Sequence, residues 1–167
     1  RRDYEKTELL EAIRNHAENQ TESYYEQAFD WRETGCAGRW STEYPTNVLL
    51  AEDNPTRFVS ELSAAMEEQQ NEIRCCLAQL ENTVGTDLKE IVKGILDRKS
   101  YMDSEAGFTY MTPYYLHCIA AHLHGEYRCD SYFYNTHDYT ARIYPADIEA
   151  VKSETHNWAL VMFDYHY

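Results

Sequence analysis

Between Asn54 and Gly85, apolar residues recur at three- and four-residue spacing, at Phe58, Leu62, Ala65, Met66, Ile73, Cys76, Leu77 and Leu80. That is the period of an amphipathic α-helix and not of a strand. Asn54 can cap its first turn, and Pro55 suits the first helical position, where a missing N–H would have had no partner in any case. Gly85 ends the run, Thr86 can cap a second helix, and Leu88, Ile91, Val92, Ile95 and Leu96 repeat the pattern. Upstream, Leu9, Leu10, Ile13 and Ala17 read as a first helix, and Tyr24, Tyr25, Ala28 and Phe29 continue it after a possible break at 19–21. Thr34 to Asn54 holds two glycines, Pro45 and turn formers, so it reads as a long loop with one short buried piece at Val48 to Leu50. Loops of this length inside compact domains are often functional.

After Ser100 the composition changes. Thr112 and Pro113 can open a short helix with Leu116, Ile119, Ala120 and Leu123 in one stripe, closed by Gly125. Glu126 to Tyr134 and Tyr139 to Tyr144 alternate around Asn135-Thr136-His137-Asp138, the signature of a β-hairpin. Pro145 to Glu154 reads as a helix and Trp158 to Tyr167 as a last strand. The fold class implied is α+β, a helical N-terminal half packed with a small C-terminal sheet of about three strands. No linker or repeat interrupts residues 1–167, so a single domain is expected, with a helical layer over 1–99 and a mixed layer over 100–167. A chain of this size buries about 70% of its unfolded surface, and 43% hydrophobic residues supply the core for it.

Charge restricts the partners. The 29 acidic and 15 basic residues give a net charge of −14, and only Arg128, Arg142 and Lys152 carry positive charge after residue 100. Nucleic acids and anionic membranes are bound through Lys and Arg that displace counterions, so neither is an expected direct partner. A basic surface is, and a basic protein surface commonly exists to hold DNA or RNA. The longest apolar run, Trp158 to Phe163, is far short of the roughly 20 residues of a membrane span. No basic segment followed by an apolar stretch opens the chain. Five cysteines, an odd number without a C-x-x-C pair, fit reduced thiols and a cytoplasmic location.

The sharpest local feature is a row of carboxylates at four-residue spacing, Glu18, Glu22, Glu26 and Asp30, extended by Glu11 and Glu33. Four residues advance a helix by about 6 Å, on the order of the phosphate spacing along a nucleic acid strand. Like charges at this spacing destabilise a helix by about 0.2–0.5 kcal/mol per pair, so the row does not serve helix stability. One reading is a surface that imitates the DNA backbone. The other is a solvated face that is acidic because the whole chain is. The last 67 residues hold 11 of the 15 tyrosines, and such residues, Tyr132 and Tyr134 among them, suit protein interfaces as desolvated anchors.

Two further groupings bear on chemistry. Cys118 and His122 share a helix face, and Cys129 and His137 follow on the expected strand and turn, so the four could supply the nitrogen and sulfur ligands of a tetrahedral zinc site. The competing reading is polar aromatic packing with the cysteines as small buried hydrophobes. Cys36, between Gly35 and Gly38, could expose a thiolate, but acidic surroundings raise a thiol pKa instead of lowering it. The phosphate-binding, dinucleotide-binding, zinc-protease, serine-hydrolase and EF-hand signatures are all absent from the sequence. The expectation is therefore a non-catalytic acidic inhibitor without a cofactor, of the anti-CRISPR or anti-restriction type, that occupies a basic nucleic-acid-binding protein or complex. A zinc-dependent regulator or small enzyme is the alternative, and an acidic subunit of a stable complex a third.

Overall fold

The computed structural model describes residues 6–22, 31–84, 86–97, 111–126 and 133–166. In chain order these form α1 (Lys6–Thr21), β1 (Trp31–Arg32), a 3-10 turn at Gly38–Trp40, β2 (Val48–Leu50), α2 (Pro55–Val84), α3 (Leu88–Leu96), α4 (Met111–His124), α5 (Pro145–Ser153), a second 3-10 turn at Thr155–Asn157, β3 (Ala159–Val161) and β4 (Tyr165–His166). The class is α+β. The chain divides into two compact units, the first comprising Arg1–Ala65 with Tyr127–Tyr167 and the second Met66–Glu126.

The first unit is closed by strands from opposite ends of the chain. β2 pairs antiparallel with β3, Val48 opposite Val161 and Leu50 opposite Ala159, and β1 pairs antiparallel with β4, Trp31 opposite His166. The β2–β3 ladder is prolonged by Met162 N donating to Asn47 O at 2.8 Å and Ala51 N to Trp158 O at 3.0 Å. The expected buried piece at Val48 to Leu50 is thus β2, with Val48 and Leu50 turned into the core. The expected C-terminal strand is divided between β3 and β4, and both take their partners from the N-terminal region. The hairpin turn forms where its sequence places it: Asn135 and Thr140 exchange both backbone hydrogen bonds, and Asn135 Oδ1 accepts His137 N at 2.9 Å. Most of the first arm lies outside the described residues, and among the described residues the second arm carries no ladder beyond that bridge. The core of this unit gathers Val48, Leu50, Ala51, Phe58, Leu62, Ile143, Ile148 and Val151. α1 lies against β2 and β3.

Helix ends follow local chemistry. Asn54 Oδ1 accepts Arg57 N at 3.0 Å, so Asn54 caps α2 ahead of Pro55 as the sequence implies. α3 is capped by Asp87, whose Oδ1 accepts Lys89 N at 2.9 Å, and not by Thr86. α4 ends in a Schellman arrangement: Gly125 at φ 71° donates to His122 O, and Glu126 N donates to Ala121 O.

In the second unit, Cys76 and Leu80 of α2, Ile91 of α3, and Cys118 and Ala121 of α4 are buried. The face of α4 differs from the expected Leu116, Ile119, Ala120, Leu123 stripe. Its buried positions are Thr112, Cys118 and Ala121, while Leu123 is exposed. The helix is apolar on most of its circumference, so periodicity ranks the faces poorly, and the smaller side chains turn inward. No helix of the described residues is long and apolar enough to cross a membrane.

Candidate interaction surface

The acidic row starts on α1 and passes its C-terminal end. Glu18 lies in the last turn, the helix finishes at Thr21, and Glu22 follows directly. Glu26, Asp30 and Tyr132 lie outside the described residues. Thr21 ends α1 by folding its hydroxyl back onto the carbonyls of Ala17 (3.2 Å) and Glu18 (3.0 Å). Arg32, from β1, then closes the helix terminus. Its Nη1 donates to Glu18 O at 3.1 Å and to Thr21 Oγ1, its Nη2 donates to Glu22 Oε2 at 2.8 Å, and the guanidinium sits over the Phe163 ring at 5.6 Å. A cation here satisfies carbonyls that have no intrahelical partner and opposes the negative end of the helix dipole.

Glu18 and Glu22 are both held within the first unit. Glu18 Oε1 accepts Gly35 N at 2.9 Å, which ties the following loop to α1. Glu22 shares its charge with Arg32, whose side chain is 7% exposed against 69% for Glu22. Glu22 is therefore fixed in position and open to solvent, while Glu18 faces the loop. Four-residue spacing alone makes the two equivalent; Arg32, ten residues beyond Glu22 and without a spacing signal of its own, is what distinguishes them.

The loop that follows is fastened by a second arginine. Arg39 donates its backbone N–H to Asp164 Oδ2 at 2.8 Å and its guanidinium to both carboxylate oxygens, and Asp164 is 2% exposed. Asp164 O in turn accepts Glu33 N at 2.8 Å. The hydrogen bonds from Arg39 hold the Asp164 carboxyl below its ordinary range, against the opposing effect of desolvation. The visible signal in the sequence was one acid directly after the apolar run Trp158 to Phe163. Other arginines behave alike: Arg14 donates to Asn47 Oδ1 and Thr46 O, and Arg57 spans Glu61 and the Glu43 carbonyl while stacking on the Tyr44 ring at 4.6 Å. Meanwhile Glu8, Glu11, Glu67, Glu68, Glu81 and Glu90 are exposed. Tyr134 is half-buried.

The residues proposed as zinc ligands fall in different units or outside the described residues. Cys118 and His122 belong to the second unit, Cys118 fully buried. His122 Nε2 lies 3.0 Å from Glu72 Oε2 on α2, within ion-pair distance but without hydrogen-bond alignment. His137 belongs to the first unit and is exposed at the turn, 3.9 Å from Asp138 Oδ1. Cys129 lies outside the described residues. Among the described residues, no group of three or more His, Cys, Asp or Glu side chains is arranged to hold a metal ion. Cys36 is a half-buried free thiol.

Comparison of the chain with protein-family models, with curated proteins and with solved structures finds no match.

Proposed function

We propose that this chain is an acidic protein-binding inhibitor, a DNA mimic that blocks a nucleic-acid-binding machine in the manner of anti-CRISPR or anti-restriction proteins. The observation that supports the reading is the disposition of charge. Carboxylates outnumber basic residues 29 to 15, and Arg14, Arg32, Arg39 and Arg57 are engaged by acceptors of the first unit itself. Arg32, Arg39 and Arg57 are each paired with a carboxylate of that unit, so their charge is balanced locally. Glu18, Glu22, Glu26 and Asp30 would stand where phosphates stand in a Lys- and Arg-lined channel, with Tyr132 and Tyr134 as aromatic anchors. Action is by competition in the cytoplasm, without direct binding to nucleic acid or membrane and without a cofactor.

The test is capture of partners from nuclease-treated host lysate on the immobilised chain, eluted by rising salt, with E26K/D30K as the comparison. Glu22 is avoided, because reversing its charge would also set a lysine against Arg32. The expected result is a nucleic-acid-binding protein, released at moderate salt as the Debye length shortens, displaced by DNA and lost in E26K/D30K. Retention by the variant, or a partner that DNA does not displace, refutes the mimic.

A further inference from the structure

We draw no further inference here: the strongest candidate, the row of exposed apolar side chains Leu88, Val92 and Leu96 along α3 in the second unit, carries nothing because nothing in the structure shows what covers it.

Discussion

Two glycines in the loop after β1 allow the tether between Arg39 and Asp164 to be weighed. Gly35 has φ 76° and Gly38 φ 53°, both in the left-handed region, where an L-residue with a Cβ costs about 1–2 kcal/mol. Replacing either by alanine also narrows the unfolded ensemble, which returns about 0.4–1 kcal/mol. In these respects the two positions are alike. They differ in space. A Cβ on Gly35 meets nothing within 4 Å, whereas one on Gly38 would lie 2.5 Å from Asp164 Oδ2 and 2.6 Å from Asp164 Cβ. Asp164 cannot easily give way, because its carboxylate is held by Arg39 and its carbonyl by Glu33 N. Overpacking of this kind costs typically about 1–3 kcal/mol. Gly35→Ala should therefore destabilise slightly, and Gly38→Ala by about 1–3 kcal/mol more. With an m-value of about 2 kcal/mol/M, that difference is on the order of 1 M in urea midpoint. Tryptophan fluorescence is the assay, because Trp31, Trp40 and Trp158 are the only tryptophans and all belong to the first unit. Equal midpoints for the two variants would show that the loop is not pinned against Asp164, and the tether would have to be abandoned.

Three other outcomes follow from the same unit. The folded Asp164 carboxyl titrates below its unfolded value, so its contribution is complete above about pH 4 and disappears as pH falls through the folded value; urea midpoints measured down the acid range should fall less steeply in Asp164→Asn. Asn47 is fully buried at φ 47° and bonds Arg14 Nε at 2.7 Å and Met162 O at 3.3 Å. Both Asn47→Ala and Asn47→Gly lose these bonds, but only alanine adds strain, so alanine should be the less stable by about 1 kcal/mol; the reverse order in urea unfolding refutes the strain. Removing the Arg32 clasp with Arg32→Met should speed hydrogen exchange several-fold in the last turn of α1 with little change in α5, and uniform exchange would show that the clasp does not hold the helix end.

The elements legible in the sequence are those whose signal is local. α2 and α5 could be read from apolar spacing and proline, the Schellman end of α4 from Gly125, and β2 from a short apolar piece between turn formers. Strand pairing could not be read, since β2 and β3 are joined across the chain and no residue near Val48 specifies Val161 as its partner. Register in such a ladder is set by which face is buried, a tertiary property. The same limit applied to the acidic row. Four-residue spacing describes Glu18 and Glu22 correctly along the chain, yet the charge each presents depends on Arg32 and Gly35, brought to them by β1 and the loop.

Surface charge and fold are consequently not independent variables in the first unit. A chain of net charge −14 repels itself when compact, and here arginines stand at the joints: Arg32 at the end of α1, Arg39 against β4's approach, Arg14 between α1 and the β2 entrance, Arg57 between α2 and the loop. Each presents a planar fork able to bond two acceptors at once, which a lysine cannot reproduce. Engaging these groups in the chain's own hydrogen bonds fastens it, and Arg32, Arg39 and Arg57 are each balanced by a carboxylate of the same unit. A substitution at any of them alters both properties together. A loss of partner binding in an Arg14 or Arg32 variant would thus say nothing of the acidic surface unless the urea midpoint were unchanged. Substitutions at a carboxylate such as Glu11, exposed on α1 beyond its first turn, are the ones from which charge alone can be read.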